Sequence, residues 1–362
     1  MRRPWLGWFL AFVLALVLLE LLRANADDAD YIDLAQQRYA HAQRAKELEI
    51  AVVTAAGEDM LWNGARDAAA RVNAAGGVRG RKLRVERFRV DPRDEGARAR
   101  MLARTPRFVA VIGHSAAHAK EAAVSYEATD TLFLATSATD PRLTRFAGAR
   151  VVTRLVPDDQ AVARAIAAAL RISAIESVGI LYTRATASTD VERLIGELLA
   201  ADLDVAFTHP YDSIQELRLT MLRQDSLAQT YGAVVLLGEV PSASAVLARL
   251  RATRMRPAIL TTSPELAAPC VAPPTSGRLQ RGHAYAITTF CGGDARAAHG
   301  YEAVSVLAQA IARAESPAPT DVAAVIRSGA LFESIGGKLI SFTPNGDVEG
   351  KQLFITSART NR

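Results

Sequence analysis

The sequence predicts an α/β protein built on parallel sheets, and three observations carry that prediction. Residues 107–144 read as one β-α-β unit. In it an apolar run (108–112), a helical spacing of Ala119, Ala122, Ala123, Tyr126 and Glu127, and a second apolar run (132–135) follow one another. The same alternation of short apolar runs and helical patterns fills residues 49–157 and resumes over 178–262. Finally, 362 residues suffice for two domains of ordinary size. A crossover helix makes the strands of such a unit parallel and neighbouring. The clusters Gly113-His114-Ser115-Ala116-Ala117 and Thr136-Ser137-Ala138-Thr139-Asp140-Pro141 therefore fall at strand carboxyl ends, on one sheet edge. Ligands of open α/β sheets sit at that edge. Hydroxyls, small residues and unpaired N–H groups at a helix start suit a small anion such as a carboxylate.

Half of the chain is apolar and only 6% aromatic, so the core is expected to be built from Ala, Val, Leu and Ile. The net charge of +5 does not point to nucleic acid: arginines are spread along the chain among Asp and Glu, with no basic run interleaved with aromatics. Arg2 and Arg3 precede an apolar run from residue 4 to 19, and Asp27, Asp28 and Asp30 follow it. That charge order predicts an amino terminus inside and the remainder exported. Ala24-Asn25-Ala26 fits a signal-peptide cleavage site, whereas the length of the run leaves an uncleaved anchor over residues 4–22 equally open. Residues 27–48 read as a juxtamembrane helix with a thin apolar stripe (Ile32, Ala35, Tyr39, Ala42, Ala45), favouring a stalk over a helix packed on the domain.

The elements then follow in order. A strand over 49–54 leads to a helix over 60–73, which ends at Gly76-Gly77. These glycines follow a helix, not a strand, so they are turn residues and no dinucleotide fingerprint. An alternating strand (83–90) stops at Asp91-Pro92, and a helix runs on through residue 102. After the central unit, a strand over 150–157 leaves the first sheet, and Asp158-Asp159 caps an alanine-rich helix over 160–170. A second series follows: strands at 178–182, 205–207, 233–237 and 258–262, with helices at 190–201, 213–227 and 242–254 between them. A Pro/Gly/Ser-rich loop (269–282), a strand (284–290) and helices at 297–314 and 319–328 come next. A closing antiparallel pair, 338–342 with 352–356, is expected around the turn Pro344-Asn345-Gly346-Asp347.

Asn73-Ala74-Ala75-Gly76-Gly77-Val78-Arg79-Gly80-Arg81-Lys82 resembles the signature of type I periplasmic solute-binding proteins, and most closely the branched-chain amino acid receptors of ABC transporters. Asp91-Pro92, Val111-Ile112-Gly113, Ser137-Ala138-Thr139-Asp140-Pro141, Val156-Pro157-Asp158-Asp159-Gln160, Gly300-Tyr301-Glu302-Ala303 and Ser341-Phe342-Thr343-Pro344-Asn345-Gly346-Asp347 follow in family order. The resemblance implies two doubly wound lobes that close on a ligand about three crossing segments, here near 152–154, 285–288 and 336–340. It places lobe 1 at 49–153 with 286–336, and lobe 2 at 154–285 with 337–362. It implies a ligand set of Ser115, Ala117, Ser137, Ala138, Thr139, Tyr182, Glu239 and Glu265. Loops 113–117 and 137–139 would take a carboxylate, and Glu265 of the Pro264-Glu265 step an ammonium. Three departures stand out: Ala117 where a pocket serine is usual, a shortened first loop (54–57), and Glu239-Val240 in place of aromatics. The implied function is capture of a small polar ligand, an amino acid or related carboxylate, for an inner-membrane ABC permease. The alternative is a membrane-tethered interaction or sensor protein with an altered cleft.

No G-x-S-x-G elbow, complete Walker loop or His-Glu-x-x-His motif is present, so the reading is a non-enzyme without cofactor. His114, His118 and Glu121 have helical spacing for a metal, but read better as a helix start, and no metal site is assigned. Cys270 and Cys291, the two cysteines, bracket a loop in an exported chain and are expected to form a disulfide, with two buried thiols as the alternative.

Overall fold

A computed structural model of the chain describes residues 31–55, 59–146, 148–184, 186, 188–226, 230–238, 248, 250, 255–262, 278–290, 294–335 and 337–357. The first sheet holds β1 (Glu47–Ala55), β2 (Lys82–Val90), β3 (Phe108–Gly113), β4 (Leu132–Ala135) and β5 (Val152–Arg154), all parallel, in the order β2-β1-β3-β4-β5. β3 and β4 are buried along their whole length, because helices cover both faces of the sheet; this is why their sequences are unbroken apolar runs. Alternate side chains divide between two cores. Ile50, Val52, Ala110, Ile112 and Leu134 pack under α2 (Asp59–Ala74), α8 (Ala295–Arg313) and α9 (Pro319–Ile326). Ala51, Val53, Val111, Phe133 and Ala135 pack under α3 (Glu95–Ala103) and α4 (Ala119–Glu127).

The second sheet repeats this plan. β6 (Ser177–Tyr182), β7 (Asp204–Pro210), β8 (Ala233–Leu237), β9 (Ala258–Thr261) and β10 (Ala284–Thr288) are parallel, and β14 (Phe354–Ser357) joins β10 antiparallel; the order is β14-β10-β9-β8-β6-β7. Val178, Ile180, Val235 and Leu260 pack with α5 (Asp159–Ile172) and α6 (Ser188–Ala200). Leu181, Val234, Leu236 and Ile259 pack on the opposite face, with Leu217 of α7 (Ile214–Ser226). In both sheets the strand order reverses beside the first strand of the series, between β1 and β3 and between β6 and β8. Crevices for ligands open at such reversals.

Two expectations are corrected. Residues 31–44 form helix α1, docked on the first lobe and not standing off as a stalk. Its thin apolar stripe concealed a polar tie. Arg38, 1% exposed, donates to the carbonyls of Ala103 (2.5 Å), Thr105 (3.2 Å) and Thr129 (3.4 Å), while Arg81 reaches the carbonyls of Ala42 and Gln43. The closing segments do not pair with each other. β12 (Leu339–Phe342) pairs with β11 (Phe332–Glu333) and β13 (Val348–Glu349), and β14 crosses to the second sheet. The turn tightens the chain within a few residues, with Gly346 N–H to Thr343 O and Thr343 N–H to Asp347 O, so β13 and not β14 is the hairpin partner. Consequently Ile340 and Phe342 lie in the first core, whereas Leu353 and Ile355 pack on the second.

Candidate functional site

β3 ends at Gly113, where φ is 110° and an added Cβ would lie 2.2 Å from the Val53 carbonyl oxygen; only glycine lets the chain turn off the sheet here. His114 follows, also at positive φ (59°), and is buried. It is held from three sides. Its Nδ1 lies 3.3 Å from Glu95 Oε2, its Nε2 2.7 Å from the Tyr126 hydroxyl, and its carbonyl accepts from the Ser137 hydroxyl (3.0 Å). Burial drives the Tyr126 hydroxyl well above its usual titration range, so it is a neutral partner. The Glu95 carboxyl is opposed by burial, yet hydrogen bonds from His114 and Ser115 outweigh that and hold it below the usual range. Glu95 Oε2 accepts the Ser115 N–H at 2.9 Å; Oε1 has no hydrogen-bond partner and lies 3.7 Å from His118 Nδ1.

The second-sheet side approaches through the starts of α5 and α6. Asp158 caps α5, accepting from Ala161 N–H at 2.8 Å, as its sequence position predicts. Asp159 N–H donates to the Thr139 carbonyl at 2.9 Å, joining the loop after β4 to the start of α5. Burial lifts the Asp159 carboxyl to about 6, against the Thr139 hydroxyl, which favours its charge, and with Asp190 adding like-charge repulsion. Burial also raises Asp190, although Arg193 Nη1 lies 3.0 Å from it and 3.9 Å from Asp159. Across the gap, Arg142 chelates Asp140 (2.7–3.1 Å) and feels Asp190.

Of the residues singled out from sequence, Ser115, Ser137 and Thr139 come together around His114 and Asp159. Ala117 is exposed in the turn before α4, and Ala138 is buried in the core beneath the loop. Tyr182 ends β6, half-buried against the second core. Glu239, Glu265, Cys270 and Cys291, together with the amino-terminal segment 1–26, lie outside the described residues. His118 faces Ser115, and Glu121 pairs with Arg100, so His114, His118 and Glu121 do not converge on one point. Sequence reasoning missed Glu95, Asp190 and Arg193. Each reads as a helix-surface charge, and only the approach of another loop or helix buries it.

A cavity of about 250 Å³ lies beside the segments that pass between the sheets, walled by Phe290, Ile335, Ile340 and Phe354. Glu302, 1% exposed, pairs there with Lys351 and accepts from the Ser334 hydroxyl. Nearby, His299 Nε2 meets the Thr289 hydroxyl (2.7 Å), and burial lowers its ring to about 3, so it stays neutral.

A family model described as periplasmic binding protein matches residues 53–217. No curated protein sequence matches the chain. Among solved structures, an ABC transporter substrate-binding protein of Desulfitobacterium hafniense in complex with Leu is 20% identical over 87% of this chain and 98% of its own, with a TM-score of 0.73. A leucine binding protein of Thermotoga maritima is 20% identical (86% and 99% covered, TM-score 0.64). A solute binding protein of R. palustris in complex with benzoate is 12% identical (87% and 98%, TM-score 0.62). The family model bears out the resemblance read from the motifs, and the solved structures bear out the two-sheet fold.

Proposed function

We propose that this protein is a non-enzymatic, extracytoplasmic solute-binding receptor that takes a small polar solute between two lobes and delivers it to an inner-membrane ABC permease. The observation that carries this reading is the meeting of loop ends from both sheets: Thr139 on Asp159, and Asp140 and Arg142 opposite Asp190. Each sheet also reverses its strand order beside its first strand, and open α/β sheets take ligands at such reversals. The solved relatives bound to leucine, isoleucine and benzoate support a solute of amino-acid size. In this reading the crossings move from 152–154, 285–288 and 336–340 to near 154–158, 288–290 and 350–353, because Ile340 and Phe342 pack in the first core and β10 pairs within the second sheet; lobe 1 then keeps β11–β13, and lobe 2 takes β10 and β14. Export follows from the amino-terminal charge order, with cleavage after Ala26 or anchoring by residues 4–22 to be decided by sequencing the mature amino terminus.

A melting-curve screen of amino acids, amines, small carboxylates and short peptides tests the receptor. A solute at about a hundred times its Kd should stabilise the fold by about 2.7 kcal/mol, read as a rise in Tm. A broad panel without any shift would sink the reading.

A further inference from the structure

We infer that the cleft takes a small organic cation without a free carboxylate, an amine or guanidine of amino-acid size, because the Glu95 carboxylate already occupies the anion-receiving face of the first-lobe loop. This rests on the receptor reading and names the charge of its solute. The loop from Gly113 to the start of α4 is where free N–H and hydroxyl groups would receive a carboxylate. In this chain the Ser115 N–H and the loop hydroxyls are engaged. The Ser115 N–H goes to Glu95 Oε2 (2.9 Å), the Ser115 hydroxyl meets His118 Nδ1 (3.0 Å), and the Ser137 hydroxyl goes to the His114 carbonyl (3.0 Å). Ala116 and Ala117 bring no hydroxyl. The Thr139 hydroxyl bonds the Asp159 carboxyl. Glu95 itself is 2% exposed, its Oε1 makes no hydrogen bond and lies 3.7 Å from His118 Nδ1, and the bonds from His114 and Ser115 keep its carboxyl ionised behind the loop.

The neighbouring loop and helix starts add further carboxyls, Asp140, Asp159 and Asp190, and their arginines are held by them. Arg142 is held by Asp140, and Arg193 lies nearer Asp190 than Asp159. Among the described residues around these loops, Glu95, Asp140, Asp159 and Asp190 stand beside Lys120, Arg142 and Arg193, and the Arg154 that Asp159 also feels is itself paired with Asp347. Asp159 and Asp190 are carboxyls whose ionised forms their surroundings disfavour, so a cation placed beside them is stabilised, whereas an added carboxylate meets repulsion from both lobes.

Matched probes on the full chain test this by calorimetric titration: agmatine against arginine, cadaverine against lysine, leucinamide against leucine, and benzoate as an anion without an amine. The member lacking the carboxylate should bind at least tenfold more tightly in any pair that binds, and benzoate should not bind. Glu95→Gln, which keeps the Ser115 contact and removes the charge, should cut that preference at least threefold by strengthening the carboxylate member. Asp159→Asn should weaken the amines at least fivefold. An amino acid that binds as tightly as its partner lacking the carboxylate overturns the inference and leaves the receptor standing. So does a wider screen whose only hits are anionic or neutral. No hit of any kind overturns the receptor reading and this inference together. If a variant fails to fold, the matched pairs on the unaltered chain decide alone.

Discussion

Glu95 sets the electrostatics of the first-lobe loop from below. Two like charges about 6 Å apart repel by roughly 3 kcal/mol at an effective dielectric constant near 20, enough to change which solute is preferred. Nothing in the sequence marks it, since a lone acid in the first turn of a helix is ordinarily solvated; it is buried because the loop at 113–115 folds over it. Asp158, by contrast, was legible: an acid just before an alanine-rich helix is a cap, and it caps. Its neighbour Asp159 carries a pH signature. The carboxyl titrates at about 6 in the fold against 3.8 as its ordinary value, with Asp190 and Arg193 of α6, Arg154 of β5 and Thr139 facing it. A raised carboxyl costs no stability below about pH 4, and the cost appears as pH rises through 6, reaching roughly 3 kcal/mol at about 1.4 kcal/mol per unit. Asp159→Asn should therefore melt like the unaltered protein near pH 4 and higher than it at pH 7–8. Melting curves across that range check it, and a variant less stable at pH 8 would contradict it.

At the scale of elements, the buried strands were the most legible part, because a strand covered on both faces must be apolar throughout, and 108–113, 132–135 and 233–237 are. The pairing of the closing segments was not legible, since β14 finds its partner, β10, about seventy residues back along the chain. The contact between α2 and α8 rests on two glycines. A Cβ at Gly64 would lie 1.8 Å from the Ala297 carbonyl oxygen, and one at Gly300 2.0 Å from that of Leu61. The helices thus meet backbone to backbone, and any side chain there forces them apart. Gly64→Ala should destabilise the first lobe by about 1–3 kcal/mol or more, read by denaturant titration, despite the better helix propensity of alanine. A variant as stable as the unaltered chain would show that the helices can separate freely.

For the whole molecule, the first crossing is tied rather than loose. Arg154 is fully buried; it donates to the Asp140 carbonyl (2.6 Å) and pairs with Asp347, while Arg145 reaches Asp158 (3.0 Å) and Thr144 bonds Asp347 (2.6 Å). The Arg154 N–H also bonds the Gly346 carbonyl, so the turn after β12 is fastened to the strand that leaves the first sheet. Paired buried charges of this kind fix geometry more than they add stability, which would suit the joint that the proposed closure requires. The five parallel strands of each sheet share one order; closure of the two lobes on a solute is the central claim. Small-angle X-ray scattering, with and without a saturating amount of the solute that most raises Tm, tests it most directly. Closure predicts a smaller radius of gyration in the bound protein at unchanged mass. An unchanged radius with the solute bound would contradict it.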